Sequence, residues 1–305
     1  MNSLTTTSLS QHPLIAVFGC TGMIGTEVMR QLAPHDCSVR GILREANRTY
    51  PVPHQERPAR VSYVTADHDS TEQLTRACAG ADAVFLLIGT SPDQVRIESR
   101  AIEAAQRAGV RRIVKLSAPV VEEPISVEVA HWHREIEAKL EASGLEYCHL
   151  RPYAMMQNWL RNAHTIRNFG RTIGSAGEAP RNYVDCRDVA AIAVQLLLSE
   201  QPLQNDAITI TGPEAITNQD MAERISCVTG SNIQYENLSR EAHYHMLVTQ
   251  AKLPEWLAQH IVELEELAVR IPEQGTHQAQ QLLGRYPRTM DEFLQEHRAV
   301  FMHGS

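Results

Sequence analysis

Between Leu14 and Leu150, short apolar runs alternate with stretches of helical spacing, and this alternation limits the fold more than any other feature. Leu14–Phe18, Ser38–Leu43, Arg60–Thr65, Ala83–Ile88, Arg112–Leu116 and Glu146–Leu150 read as strands, with Ala83–Ile88 the most strongly apolar. Residues 23–33, 70–78, 93–108 and 127–143 read as helices, the last stopped by Gly144. Strands separated by helices of this length need right-handed crossovers, which predicts an α/β fold with a doubly wound parallel sheet of Rossmann type. Beyond Pro152, which is expected to break the sixth strand, the pattern is less regular. Val189–Leu198 and 218–229 read as helices, Ala207–Thr211 as a late strand, and 240–270 as mostly helical. The expected division is a tail over 1–13, a nucleotide-binding core over 14–152, and a region over 153–305. That last region completes the sheet and forms a small, mostly helical substrate-binding part.

Composition narrows the function. The net charge of −8 shows no basic surplus, which argues against a nucleic-acid partner. No window approaches the 18 or so apolar residues of a membrane span, and Met1–Pro13 lacks the apolar stretch of a secretory signal. The six cysteines form no Cys-x-x-Cys pair, so neither zinc nor a disulfide framework is expected. Reduced thiols in a cytoplasmic protein are the reading. Cys20 is the exception, because a thiolate just before a helix would be favoured.

Gly19-Cys20-Thr21-Gly22-Met23-Ile24-Gly25 spells G-x-x-G-x-x-G where the first strand ends and the first helix opens. Glycines permit the tight turn, and the backbone N–H groups at the helix start suit a pyrophosphate. The loop residues Gly19, Thr21, Gly22, Met23, Ile24 and Gly25 are therefore expected to hold a dinucleotide. After the second strand stands Arg44, where an NAD site would carry an acid, so the expected cofactor is NADP(H) with Arg44 on the 2′-phosphate. Arg40 and Arg48 share that neighbourhood. Asp67, after the third strand, is placed at the adenine amino group. Ile88, Gly89 and Thr90, after the strongest strand, are expected near the phosphates and nicotinamide ribose, Ser91-Pro92 starting the helix that follows.

Taken with these features, the chain resembles the NmrA-like group of atypical short-chain dehydrogenase/reductases, near the triphenylmethane reductases and NADPH quinone reductases. The likeness rests on Val17-Phe18-Gly19-Cys20-Thr21-Gly22, Val39-Arg40-Gly41-Ile42-Leu43-Arg44 and Ile113-Val114-Lys115-Leu116-Ser117. It continues through Ser143-Gly144-Leu145-Glu146-Tyr147, Leu150-Arg151-Pro152, Asp185-Cys186-Arg187-Asp188-Val189-Ala190 and Ile210-Thr211-Gly212-Pro213-Glu214. Pro287-Arg288-Thr289 leading into Glu292-Phe293 resembles the closing helix of the group. The resemblance implies a Rossmann-type domain and a small C-terminal domain with substrate between them. It also implies a departure from the superfamily's Tyr-x-x-x-Lys pair, since Val129 stands at the Tyr position and His133 at the Lys position.

Hydride transfer needs only a positioned nicotinamide and an electrophilic carbon, so it survives loss of that Tyr. His133, beside the nicotinamide ribose, and Tyr153 are the catalytic candidates, with water an alternative proton source. Glu137, one helical turn from His133, is read as a group that orients it. Ser117 is placed near the nicotinamide, and Lys115 on the opposite face of the strand. His131 and His133 point about 200° apart, so no shared metal is expected. Tyr153, Met155, Met156, Asn158 and Trp159 are expected to wall a pliant pocket for a bulky apolar or aromatic substrate, with a plain core cluster as the alternative. His243-Tyr244-His245 and Trp256 are possible covers for it. The helical apolar residues of 254–271 read as core or as a dimer contact.

The functional expectation is an NADPH-dependent reductase of a conjugated or cationic acceptor, with a monomer or homodimer left open. The alternatives are a non-catalytic NADP(H) sensor and a cofactor-assisted isomerase.

Overall fold

The structure is a computed structural model that describes residues 12–45, 60–120 and 126–302. Most of the expected tail and Arg48 lie outside the described residues. The strands are β1 (Leu14–Phe18), β2 (Ser38–Leu43), β3 (Val61–Thr65), β4 (Ala83–Leu86), β5 (Arg112–Leu116), β6 (Glu146–Pro152), β7 (Ala154–Met155), β8 (Arg171–Gly174), β9 (Arg181–Val184), β10 (Asp206–Ile210), β11 (Ala215–Ile216) and β12 (Gln234–Asn237). The helices are α1 (Met23–Leu32), α2 (Thr71–Cys78), α3 (Gln94–Arg107), α4 (Glu128–Glu141), α5 (Ala163–Phe169), α6 (Cys186–Leu198), α7 (Asn218–Thr229), α8 (Arg240–Thr249), α9 (Glu255–Arg270), α10 (Gln278–Leu283), α11 (Met290–Glu296) and α12 (Arg298–Phe301). A 3-10 helix covers Met156–Asn162.

The chain divides into two compact units. The first holds the described residues up to Pro119 together with His131–Pro152 and Cys186–Thr209. Its centre is a seven-stranded sheet in the order β10-β6-β5-β4-β1-β2-β3. The pairings that run from β3 through β2, β1, β4 and β5 to β6 are all parallel. Strand order reverses between β1 and β4, which creates the switch point where open α/β sheets bind ligands at strand C-termini. β1 and β4 are almost wholly buried, as expected for strands covered on both faces. Helices α1 and α6 pack together, as do α2 and α3. Pro152 does not break the sixth strand; it is the last residue of β6, where its missing N–H costs least.

The second unit comprises the described residues of Val120–Ala130, Tyr153–Asp185 and Ile210 onward. It has two small sheets, β11-β9-β7 and β12-β8, that the sequence pattern does not announce. Its core gathers Met156, Trp159, Tyr183, Met221, Ile225, Met290 and Phe293 with their neighbours. Local signals set its helix starts. Thr217 accepts from the Asp220 N–H while Asp220 returns the bond, and Thr289 with Glu292 repeats this box at α11.

Candidate functional site

The glycine loop has the geometry a diphosphate needs. Gly19 directly follows β1 with φ +64°, and a Cβ there would lie 2.2 Å from the Leu87 carbonyl oxygen. A Cβ on Gly25 would lie 2.1 Å from the Gly19 carbonyl oxygen, so the first turn of α1 sits directly on the loop. No larger residue fits either position without moving backbone. Gly22 is the N-cap of α1 and offers no side-chain acceptor to the first N–H groups, and the first turn carries no acid. The positive end of the helix is thus neither capped nor neutralised, which suits an anion. Thr21 is half-buried; Gly22 and Met23 are exposed, while Ile24 and Gly25 turn inward.

Cys20 does not fulfil its expected role as a reactive thiolate. It is buried, its Sγ donates to the Ile42 carbonyl at 3.5 Å, and burial pushes its thiol up to about 12. Desolvation outweighs the helix end. None of the six cysteines forms a disulfide.

Arg44 directly follows β2, exposed, and pairs with Glu45 at 3.1 Å. Beside it, burial and then the Arg44 charge lower the pKa of His68, a ring also 6.3 Å from Phe18. Arg40 does not belong to this group, because its guanidinium donates to the Ala77 and Ala79 carbonyls at the C-terminus of α2. Asp67 is exposed, and its Oδ1 accepts the Asp69 N–H at 2.9 Å, a turn-forming role.

β4 ends at Leu86, two residues earlier than its apolar run suggests, so Leu87–Thr90 form a loop at the switch point. Ile88 is buried; Gly89 and Thr90 are exposed, and a Cβ on Gly89 would meet nothing within 4 Å. The next helix has Asp93, not Ser91, at its cap.

Behind this loop lies a buried polar network. Lys115 and Glu98, both fully buried, pair at 3.2 Å. Lys115 Nζ also donates to the Leu116 carbonyl at 2.8 Å and to His133 Nδ1 at 3.0 Å. An ammonium donor makes Nδ1 the acceptor, so Nε2 carries the ring proton. Glu98 Oε1 in turn accepts from Gln94 Nε2 at 2.9 Å. Ser117 Oγ donates to Glu137 Oε1 at 2.7 Å. Lys115 therefore does not take the opposite face: two residues apart, Lys115 and Ser117 both reach α4, as strand alternation requires.

Glu137 is gripped by three donor side chains, one of them Ser117. Arg151 clasps it in a fork of 2.9 and 2.8 Å, and Arg134 adds a bond at 2.7 Å. Burial opposes its charge, but the bonds from Arg151, Ser117 and Arg134 hold its carboxyl at about 2. His131 is exposed and His133 buried, as their separation on α4 requires.

In the second unit, Met156 and Trp159 are buried in the core, and Trp159 meets the Tyr183 ring edge-on at 5.9 Å. Tyr153 and Met155 are half-buried and Asn158 is exposed. Burial, then the Glu273 charge, raises the Tyr153 pKa. His243 is no cover: it is buried, 3.0 Å from Glu265 and 3.1 Å from Ser175 Oγ. On α9, Ala258, Val262 and Ala268 are buried while Val269, and Ile271 just past its end, are exposed. Among the described residues no three His, Cys, Asp or Glu side chains gather as a metal site.

Lys115, Glu98, Arg134 and Arg151 carry no role in the sequence reading. The available signal was charge inside apolar elements, as in Ile113-Val114-Lys115-Leu116.

The model of the NmrA-like family matches residues 11–294. The chain is 32% identical over 291 residues to an NAD(P)H azoreductase of Xenophilus azovorans, covering 94% of this chain and 99% of that protein. It is 34% identical over 292 residues to a (4-alkanoyl-5-oxo-2,5-dihydrofuran-3-yl)methyl phosphate reductase of Streptomyces griseus, with the same 94% and 99% coverage. Among solved structures, the NADPH complex of an NADPH-dependent quinone oxidoreductase from Escherichia coli superposes with a TM-score of 0.80 at 25% identity, covering 92% of this chain and 99% of that one. By the family match and by these full-length relatives, the chain belongs to the NmrA-like family.

Proposed function

We propose that this chain is an NADPH-dependent reductase that passes hydride to a conjugated or cationic organic acceptor, such as a quinone, enone or imine, without a Tyr-x-x-x-Lys pair. The oxidoreductase class and the nicotinamide cofactor are supported by relatives named as NAD(P)H azoreductase, (4-alkanoyl-5-oxo-2,5-dihydrofuran-3-yl)methyl phosphate reductase and quinone oxidoreductase. The observation that carries the reading is the uncapped start of α1, closed over by Gly19 and Gly25, at the switch point of a parallel sheet.

Gly19, Thr21, Gly22, Met23, Ile24 and Gly25 hold the diphosphate, and Arg44 binds the 2′-phosphate. Asp67 lies at the adenine, and Ile88, Gly89 and Thr90 line the path toward the nicotinamide ribose. When bound, NADPH supplies the hydride. His133, with its proton on Nε2 because Lys115 occupies Nδ1, faces the ribose, with Ser117 beside it. A substrate that delocalises the incoming charge needs no strong acid at the moment of transfer, so water, His133 or Tyr153 delivers the final proton. Tyr153, Met155 and Asn158 wall the substrate, backed by Met156 and Trp159.

The test is NADPH consumption with a panel of quinones, enones, imines and azo dyes. Turnover of at least one class is expected. Silence across the panel with NADPH affinity retained would replace the reductase reading by a cofactor-sensing one.

A further inference from the structure

The second unit holds a largely buried arginine that the reductase reading leaves unused. Arg181, on β9, has a side chain only 14% exposed, yet its Nε finds no hydrogen-bond acceptor among the described residues. The nearest carboxylate oxygen, Glu273 Oε1, is 3.8 Å away, too far for a hydrogen bond. Glu273 spends its other oxygen on the Asn182 N–H at 2.7 Å. His260, on α9, lies within the field of Arg181, and its Nδ1 is also buried without a partner. Tyr183 presents its ring 6.0 Å from the guanidinium, and Tyr153 feels the charge of the same Glu273.

An unbonded guanidinium in a nearly closed site is costly unless a ligand completes it. Arginine presents a planar fork of donors that matches carboxylate, sulfonate and phosphate oxygens. A closed structural ion pair looks different in this same chain, where Arg151 and Glu137 meet at 2.9 and 2.8 Å.

We infer that Arg181 and His260 form a subsite for an oxyanion carried by the substrate, so that the preferred acceptor is a conjugated molecule bearing a carboxylate, sulfonate or phosphate group. This substrate class rests on the reductase reading; the anion subsite itself does not. Arg181 supplies the fork, and His260 donates one ring N–H. Glu273, 3.8 Å from Nε, offsets the guanidinium charge while the subsite is empty.

The experiment is a titration of the full chain, without turnover, using matched aromatic probes. Benzoate, benzenesulfonate and phenyl phosphate are compared with the neutral benzamide, benzenesulfonamide and phenol. At least one anion is expected to bind about tenfold or more tightly than its neutral counterpart, and the strongest of the three names the oxyanion. Arg181→Met should abolish that preference. Arg240→Met, which removes a surface cation paired with Glu266 at 3.2 Å, should keep it. Should Arg181→Met fail to fold, the His260 ring-proton resonance of the unaltered chain decides, because a bound anion shifts it and raises its titration midpoint. Equal affinity for charged and neutral probes, or a His260 resonance that no anion moves, overturns the subsite. Anion binding in a chain that reduces nothing keeps the subsite and removes only the reductase reading.

Discussion

Two buried charged clusters of this protein are built from the same residue types and have opposite accounts. Around Glu137, every oxygen has a donor: Ser117, Arg134 and a forked Arg151. Around Arg181, the guanidinium has a carboxylate neighbour at 3.8 Å and no hydrogen bond from its Nε. The first is a finished internal strut between β5, α4 and β6, the second an arrangement that lacks a partner. Residue type alone does not separate structural from ligand-binding charge; satisfaction of the hydrogen bonds does.

The largest effect that would break this contrast is on stability. Glu137→Ala leaves Arg151 and Arg134 without their carboxylate and should cost about 3–5 kcal/mol in chemical denaturation, the range for removing one partner of a buried pair. Arg181→Met should cost far less or even stabilise the chain, since it removes a buried cation that has no hydrogen bond to lose. A larger loss for Arg181→Met than for Glu137→Ala would reverse the assignment of the two clusters.

Next in size is the glycine loop. Gly25→Ala forces a Cβ to within 2.1 Å of the Gly19 carbonyl oxygen, and it should weaken NADPH binding at least about a hundredfold in a fluorescence titration. Arg44→Ala is milder: NADPH affinity should fall about tenfold while NADH affinity stays unchanged. Equal losses for both coenzymes would remove Arg44 from the 2′-phosphate.

The two clusters also differ in acid response. Glu137 is depressed from 4.5 to about 2 by its donors against the opposing effect of burial, so its stabilisation is complete above 4.5 and is lost as the pH falls toward 2. His260 is depressed from 6.5 to about 4 by burial and by Arg181, so the unfolded chain takes up its proton first and stability falls between 6.5 and 4. Unfolding free energy measured against pH should show both windows. His260→Gln should shrink the upper one, to which His68 and His149 also contribute, and leave the lower. Tyr153→Phe should lower turnover about tenfold if Tyr153 delivers the proton, and unchanged turnover assigns it to water or His133.

The parallel sheet was legible because each strand is a short apolar run and each crossover helix carries its own period. The glycine loop was legible because Gly19 and Gly25 have no alternatives at their positions. β8, β9 and β12 were not, since Arg171–Gly174, Arg181–Val184 and Gln234–Asn237 are four-residue strands mixing polar and apolar residues, too short for a period to register. Cys20 was misjudged because a helix terminus is visible in sequence and the desolvation that outweighs it is not. Lys115 was assigned to the wrong face although it stands two residues from Ser117, and strand alternation places both toward α4. The Arg181 cluster was invisible because β9, α9 and the Glu273 segment are far apart in the chain and meet only in the folded unit.

The central claim is that the β1–α1 turn grips a phosphorylated nicotinamide dinucleotide. Titrating the purified chain with NADPH and with NADH, and following nucleotide fluorescence, tests it directly. Saturable binding of both with NADPH the tighter is predicted; no saturable binding of either coenzyme would contradict it.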